Sequence, residues 1–221
     1  MLQDNPFEAH AGEYDAWFDR FPNIYESELL AVRAILPPRR GPWVEIGVGS
    51  GRFAARLGIG LGVEPSEAMG RLARGRGVEV LAGCAEAVPL EDATVDAAFL
   101  ITTVCFLSDL GHPFREVRRI LRPGGSAIVA FIPRDSRFGC LYRENAAGDL
   151  FFSQAQLRSP DEVAAALTEA GLPVDRTLET LTGDPASADA RVEVPSVGCG
   201  RGSFVVLRGR AMGAGARAAA A

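Results

Sequence analysis

The segment Trp43-Val44-Glu45-Ile46-Gly47-Val48-Gly49-Ser50-Gly51-Arg52-Phe53 reads as a strand, a tight turn and the start of a helix. Val44 and Ile46 begin a short buried strand. Three glycines at alternate positions then remove every Cβ where the chain turns, so another molecule can approach the backbone there. A helix that starts at Arg52 directs its unpaired N–H groups and the positive end of its dipole into the same space. We therefore predict a ligand at this turn.

A second apolar run, Leu61 to Val63, ends in Glu64, nineteen positions after Glu45. In a sheet of parallel strands, this spacing puts a carboxylate at the end of the neighbouring strand, where it accepts hydrogen bonds from the two hydroxyls of a ribose. The sequence therefore predicts that the ligand is a nucleoside.

Two common nucleotide-binding patterns are incomplete in this chain. A dinucleotide fingerprint needs a third glycine three residues after Gly49, for close packing of the helix on the strand, and this chain has Arg52 there. NAD is therefore the less favoured ligand, although it stays open. A P-loop needs a lysine, and the chain contains none, which excludes ATP binding of that kind.

Length and composition predict one cytoplasmic domain. The chain has 221 residues, of which 48% are hydrophobic, and this is enough for one sizeable core. A net charge of −5 argues against a nucleic-acid substrate. No apolar run is long enough to span a membrane, and the N-terminus does not resemble a signal peptide. Neither a zinc site nor a disulfide framework is predicted, because none of the cysteines has a partner at paired spacing: Cys84, Cys105, Cys140 and Cys199.

Alternating strand and helix patterns predict a doubly wound, Rossmann-like α/β fold with three α/β/α layers and seven mostly parallel strands. Residues up to Gly12 are predicted to be an irregular arm, and a helical lid of about residues 10–36 precedes the first strand. The longest apolar run, Val95 to Val104, is the central fourth strand. The single domain covers residues 1–210. Residues 211–221 have no apolar period and are predicted to be a disordered tail.

Four motifs occur in order along the chain and together carry a family resemblance. They are the glycine turn with Glu64, then Gly83-Cys84-Ala85-Glu86-Ala87-Val88-Pro89-Leu90, then Val95-Asp96-Ala97-Ala98-Phe99, and finally Glu116-Val117-Arg118-Arg119-Ile120-Leu121-Arg122-Pro123-Gly124-Gly125. Over about residues 10–180 the chain resembles the class I S-adenosylmethionine (SAM)-dependent methyltransferases, in particular the small-molecule branch (methyltransferase type 11) that includes the ubiquinone and menaquinone methylating enzymes. The resemblance implies SAM as cofactor, S-adenosylhomocysteine as product and a small-molecule methyl acceptor.

The resemblance also implies a set of cofactor-binding residues. Glu45 would orient the amino end of SAM, the backbone of the glycine turn would contact its methionine part, and Glu64 would hold the ribose. The amide of Ala85 would meet the adenine edge, and Cys84 replaces the aspartate that the family usually has there. The complete set is Glu45, Gly47, Val48, Gly49, Gly51, Glu64, Pro65, Cys84, Ala85, Glu86 and Thr102.

Four residues are predicted on the acceptor side. By resemblance, Arg134 and Tyr142 lie where family members contact substrates, and Thr103 lies where the fourth strand opens into the active site. Tyr14, in the predicted lid, is expected to face the methyl group. No catalytic base and no metal site are predicted, since the chain has two histidines and no lysine. Methyl transfer does not require a base, because the sulfonium is a good leaving group and in-line positioning supplies much of the rate.

The prediction is a SAM-dependent methyltransferase that acts on an oxygen, nitrogen or carbon atom of a small molecule. Two other functions stay open, a SAM-binding protein without catalytic activity and a nicotinamide-dependent oxidoreductase. Methylation of arsenic through cysteine thiolates is less favoured, because the cysteines show no paired spacing. The sequence predicts neither the acceptor nor an oligomeric state.

Overall fold

The computed structural model describes residues 5–212, and these build a single eight-stranded sheet with helices on both faces. The helices are α1 (Pro6–Ala9), α2 (Ala11–Arg20), α3 (Pro22–Ile35), α4 (Arg52–Leu57), α5 (Glu67–Gly75), α6 (Gly111–Ile120), α7 (Arg137–Asn145) and α8 (Pro160–Glu169). The strands are β1 (Trp43–Ile46), β2 (Leu61–Glu64), β3 (Glu79–Ala82), β4 (Val95–Ile101), β5 (Leu121–Phe131), β6 (Val174–Thr180), β7 (Ser196–Val197) and β8 (Phe204–Arg210).

The order of the strands is β3-β2-β1-β4-β5-β8-β6-β7. Strands β1 to β5 pair in parallel, whereas β8 lies antiparallel between β5 and β6. The predicted α/β class is confirmed, but the sheet has eight strands and not seven. The additional strand, β7, is only two residues long and pairs with the edge of β6. Two residues are too few to show the alternation by which a strand is recognised in a sequence.

Both faces of the sheet are buried, which explains why β4 is a continuous apolar run. Ala97, Phe99 and Ile101 point to the face covered by α3, α4 and α7. Ala98 and Leu100 point to the opposite face, under α6 and α8. β4 ends at Ile101, three residues before the predicted end, because Thr102 has a left-handed backbone (φ 54°) and a 3-10 turn follows at Val104–Phe106.

Both ends of the described chain are better ordered than predicted. The prediction of an irregular arm before Gly12 is wrong, because Pro6–Ala9 is a helix that packs on α5. The Glu8 carboxylate accepts hydrogen bonds from the Ser66 hydroxyl (2.5 Å) and the Ala68 amide (3.1 Å). At the other end, Ala211 is buried and forms backbone hydrogen bonds with Gly124 and Gly125 near the start of β5. The rest of the predicted tail, residues 213–221, lies outside the described residues.

None of the helices in residues 5–212 is both long enough and apolar enough to cross a lipid bilayer.

Gly51, one of the predicted cofactor residues, has a structural task at the start of α4. Its φ is +80°, and a Cβ there would lie 2.8 Å from the Cα of Ala73 in α5. The missing side chain therefore lets α5 pack closely behind the glycine turn.

We predict that Gly51→Ala lowers the free energy of unfolding by about 2 kcal/mol, because it adds left-handed strain and a clash with α5. Gly75→Ala, at the exposed end of α5, is the matched control. No atom lies within 4 Å of its added Cβ, and alanine is the better helix former by about 1 kcal/mol, so stability should hold or rise. Urea unfolding of the three proteins measures both effects, and equal stability of the two variants would contradict this role of Gly51.

Candidate active site

A cavity of about 350 Å³, here called the turn cavity, opens where β1, β2 and β4 end. Most of the predicted cofactor residues line it, namely Gly47, Gly49, Glu64, Pro65, Cys84, Ala85, Glu86 and Thr102. Phe7 of α1 and Tyr14 of α2 close it from the N-terminal side. Of the predicted set, Glu45, Val48 and Gly51 do not line this cavity. The carboxyl ends of parallel strands are the usual ligand position in a sheet of this topology.

The two glycines that line the turn cavity are both left-handed, but their missing side chains serve different purposes. A Cβ on Gly47 (φ +71°) would lie 2.7 Å from the Thr103 side chain, so this glycine permits close packing of the segment after β4. A Cβ on Gly49 (φ +54°) would meet no atom within 4 Å. Gly49 therefore keeps its backbone open to the cavity.

Glu64 is held rigidly at the end of β2. One carboxylate oxygen accepts a hydrogen bond from the Gly49 amide (2.8 Å) and the other accepts from the Ser66 amide (3.0 Å). The side chain is 8% exposed, and burial raises its pKa, although the two amides oppose this effect. A carboxylate oxygen has two acceptor sites, so both oxygens can still accept a hydrogen bond from a ligand.

Glu45 lies in β1, beneath the turn. It is 2% exposed, and its Oε2 has no hydrogen-bond partner among the described residues. Burial and the charge of Glu64 raise its pKa well above the ordinary value, against the effect of the Ala54 amide. Val48, also buried, packs over Gly62, where a Cβ would collide with its side chain. The sequence therefore grouped residues that line the cavity with residues that support it from below.

A second, larger cavity of about 520 Å³ adjoins the first. We call it the aromatic cavity, because its wall contains Tyr14, Trp17, Phe18, Phe53, Tyr142, Phe151 and Phe152. Tyr142 stacks on Phe152 with ring centroids 4.5 Å apart. Tyr14 lies edge-on to Phe151 at 5.3 Å and to Phe18 at 5.7 Å. A wall of this kind suits an apolar or cationic small molecule.

Tyr14 and Thr102 line both cavities and form the junction between them. Thr102 is one of three non-glycine residues in the described chain with a positive φ, a strained conformation that occurs often at functional sites. Burial raises the pKa of the Tyr14 phenol above its ordinary value, so this side chain remains neutral near pH 7. Both residues were predicted from the sequence, one for the cofactor and one for the acceptor.

The other three predicted acceptor residues do not lie together. Tyr142 lines the aromatic cavity, and Thr103 lines the turn cavity, where its hydroxyl donates to the Ile46 carbonyl (3.2 Å). Arg134 lines neither cavity, because it turns toward α8 and donates to the Glu162 carboxylate at 3.0 Å. The structure thus brings Tyr14, Thr103 and Tyr142 to the site and leaves Arg134 outside it.

Sequence reasoning missed Glu28 of α3, which lines the aromatic cavity. Its side chain is 4% exposed and accepts no hydrogen bond from the residues that the structure describes. Burial raises its pKa to about 8. The signal was present in the sequence: on the buried face of the helix, a carboxylate accompanies Val32 and Ile35 at helical spacing. Phe151 and Phe152 were missed too. Their signal in the sequence was a pair of adjacent aromatic residues in a polar segment.

The N-terminal helices that close both cavities are attached by an ion-pair cluster. Arg52, the residue that interrupts the dinucleotide fingerprint, donates to Asp15 at 2.9 Å and to Asp19 at 2.7 Å. Arg76 donates to Asp15 at 2.7 Å. Although burial opposes ionisation, hydrogen bonds from Arg52, Ser50 and Arg76 lower the pKa of Asp15 to about 2. The helix carrying Tyr14 is therefore fixed to the start of α4.

No group of three or more His, Cys, Asp or Glu side chains within residues 5–212 is arranged to hold a metal ion.

Comparison with known proteins identifies the family of this chain. A family model described as a methyltransferase domain (type 11) matches residues 44–129. A SAM-dependent methyltransferase of Thermotoga maritima, described as a candidate histamine N-methyltransferase, is 41% identical with a TM-score of 0.88, covering 93% of this chain and 97% of that one. An uncharacterized protein of Methanocaldococcus jannaschii is 36% identical over 203 residues, 92% of this chain and 97% of its own length.

A chain from the complex between the Haloferax volcanii Trm112 methyltransferase activator and its methyltransferase is 23% identical, with a TM-score of 0.72 over 96% of this chain and all (100%) of its own. This likeness shows the fold alone. The Thermotoga relative shares sequence and structure over nearly the full length of both chains, and its cofactor is the one that the family resemblance implies. The chain therefore belongs to the SAM-dependent methyltransferases and uses SAM as its cofactor.

Proposed function

We propose that this methyltransferase transfers the methyl group of SAM to a small molecule bound in the aromatic cavity. The observation that carries the proposal is the junction at Tyr14 and Thr102, which both cavities share. A cofactor in the turn cavity and an acceptor in the aromatic cavity would meet there. The volume of about 520 Å³ is in the usual range for small-molecule sites.

The residues of the turn cavity fit SAM. The backbone at Gly49 is open where a Cβ would project into the cavity, which suits the methionine part of the cofactor. Glu64 is fixed by two amides and keeps acceptor capacity for two ribose hydroxyls. Glu45, with its unpaired buried oxygen, is suited to the amino end, and the segment Cys84–Glu86 is suited to the adenine.

When bound, SAM supplies an electrophilic methyl group on a positively charged sulfur. The task of the protein is then to hold the acceptor atom in line with that methyl group and to exclude water. Tyr14 and Thr102 flank the line of transfer in this proposal. The neutral Tyr14 phenol can donate a hydrogen bond to the acceptor, and the aromatic rings keep solvent out of the cavity.

Two further considerations support a small molecule. The net charge of −5 disfavours a nucleic acid, and the histamine in the description of the Thermotoga relative is of a size that the cavity accommodates. Family membership sets aside the nicotinamide-dependent alternative. The likeness to the quinone-methylating branch stays a prediction, and a SAM-binding protein without catalytic activity is the remaining rival.

The test uses purified full-length protein, SAM labelled in its methyl group and a cell metabolite extract. We expect a small metabolite to gain one labelled methyl group, together with formation of S-adenosylhomocysteine. Heat-denatured protein provides the background. Tight binding of S-adenosylhomocysteine without any methylated small molecule would favour the non-catalytic rival.

We predict that Glu64→Gln weakens binding of S-adenosylhomocysteine by roughly tenfold to a hundredfold, because charge-assisted hydrogen bonds to the ribose are worth about 1.5 to 3 kcal/mol. Isothermal titration calorimetry measures the affinity. Glu67→Gln is the matched control, since Glu67 is exposed at the start of α5 and pairs with Arg74. Unchanged affinity in a folded Glu64→Gln protein would remove the ribose assignment.

We also predict that the segment of residues 10–25 acts as a lid that tightens on the cofactor. Phe7 and Tyr14 contribute to the wall of the turn cavity, so a bound cofactor would bury them further and slow the opening of α2. Hydrogen exchange with and without S-adenosylhomocysteine should show greater protection there, with α8 unchanged as the internal reference. Equal protection in the two states would mean that this segment is only packed against the fold.

A further inference from the structure

We infer that the methyl acceptor is a small amine, and that Glu28 holds its nitrogen and takes up the proton that this nitrogen loses before methylation. This rests on the proposed function and goes beyond it, because it assigns the class of acceptor and a catalytic residue.

The first observation is the isolation of Glu28. It lies on the buried face of α3, is 4% exposed and lines the aromatic cavity. None of the described residues donates a hydrogen bond to its carboxylate, and no basic side chain among them forms an ion pair with it. A carboxyl group in a cavity wall with no partner from the protein has to be satisfied by water or by a ligand. The cavity gives a ligand access to this carboxyl group.

The second observation is the character of the cavity wall. Three acidic residues line it, Glu13, Glu28 and Asp149, against one arginine, Arg20. The guanidinium of Arg20 lies 5.2 Å from the centre of the Phe21 ring, and its side chain is exposed. Aromatic faces attract a cation, and this wall combines them with the Glu28 carboxyl group. The wall therefore selects a positively charged ligand.

The chemistry narrows this cation to an amine that can lose a proton. Burial raises the pKa of Glu28 to about 8, which brings it nearer to the pKa of an alkylammonium group, about 10.4 in lysine. Proton transfer from the ammonium to Glu28 therefore costs less than transfer to an ordinary carboxylate. A quaternary ammonium has no lone pair with which to attack, and an alcohol is too weak an acid for Glu28 to ionise.

The proposed reaction begins with a proton transfer in the aromatic cavity. Glu28 carboxylate accepts a proton from the ammonium form of the ligand, which leaves a neutral amine beside a neutral carboxylic acid. The nitrogen lone pair forms the new N–CH₃ bond while the S–CH₃ bond breaks, and the electron pair of that bond stays on sulfur. The product is a methylated ammonium and S-adenosylhomocysteine. The carboxylic acid gives its proton to solvent when the product leaves.

Two tyrosines, Tyr14 and Tyr142, line the aromatic cavity together with Glu28. Burial and the negative charge of Glu28 raise the pKa of Tyr142, and burial with the charges of Glu28 and Glu64 raises that of Tyr14. Tyr14 thus lies within electrostatic reach of both the proposed ribose carboxylate and the proposed amine carboxylate. A nitrogen between Glu28 and Tyr14 is directed toward the junction of the two cavities.

The main experiment measures acceptor binding to protein saturated with S-adenosylhomocysteine. The probes are 2-phenylethylamine and histamine, with 2-phenylethanol as the uncharged counterpart. Calorimetry should show that the wild type binds at least one of the amines and binds the alcohol at least tenfold more weakly. Glu28→Gln should lose at least tenfold in amine affinity and keep its affinity for S-adenosylhomocysteine, whereas Glu28→Asp should retain part of the amine affinity.

Glu26→Gln is the matched control on the same helix. Glu26 pairs with Arg56 at 2.9 Å on the protein surface, outside the wall of either cavity, so both affinities should stay within twofold of the wild type.

A second readout separates this role from a structural one. The pKa of Glu28 is raised on folding, to about 8. Below the ordinary pKa of 4.5 the carboxyl group is neutral in both the folded and the unfolded protein and costs no stability through ionisation. As the pH rises from 4.5 to about 8, the group increasingly destabilises the folded protein. The groups that share its cavity are Tyr14, Tyr142, Glu13, Asp149 and Arg20. Glu28→Gln should therefore melt with the wild type at pH 4 and several degrees above it at pH 8.5. A carboxyl group needed for folding would give the opposite shift.

The outcomes distinguish the two proposals. Wild-type protein that does not bind S-adenosylhomocysteine removes the proposed function, and the inference with it. Wild-type protein that binds S-adenosylhomocysteine but binds neither amine, or binds 2-phenylethanol equally well, overturns the inference alone. Amine affinity within twofold of the wild type in Glu28→Gln does the same. Labelled SAM then confirms the product, an N-methylated form of whichever probe binds.

Discussion

The amide groups that follow β1 have to find hydrogen-bond acceptors on β2, and this constraint shapes the site. The Gly47 and Val48 amides both donate to the Val63 carbonyl, at 2.8 and 3.1 Å, and the Gly49 amide donates to the Glu64 carboxylate at 2.8 Å. The loop after β1 is thereby fastened across the end of the neighbouring strand. Without this fastening, neither the open backbone at Gly49 nor the orientation of Glu64 would be fixed before a ligand arrives.

The sequence predicted well what depends on neighbours along the chain. A glycine turn, an acidic residue at the end of a strand and a long apolar run can each be recognised from adjacent residues. The sequence therefore predicted the turn after β1 and most of β4. Gly51 and Arg134 depend on partners far away in the sequence. Nothing local indicates that Gly51 faces Ala73 or that Arg134 pairs with Glu162. For such residues a family motif gives the place in the fold but not the contact.

Arg52 illustrates how one substitution in a motif can acquire another task. At a position where a dinucleotide fold needs glycine, the chain has a side chain that reaches out to Asp15 and Asp19 of α2. Asp15 is shared with Arg76, and these partly buried charges compensate one another. The glycine turn and the helix that covers it are thus coupled directly, so a movement of either must be accommodated by the other.

Glu64 and Glu28, each of which shares a cavity with Tyr14, differ in a way that matches their proposed ligands. Two backbone amides already satisfy part of the Glu64 carboxylate, so it can remain charged and accept hydrogen bonds from neutral hydroxyls. Glu28 has no such support, and burial favours its neutral form until a cation enters. A group that gains its charge only together with a ligand can discriminate against ligands without charge, because they leave the cost of its burial uncompensated. The same fold therefore presents one carboxyl group prepared for a constant cofactor and another that responds to the acceptor.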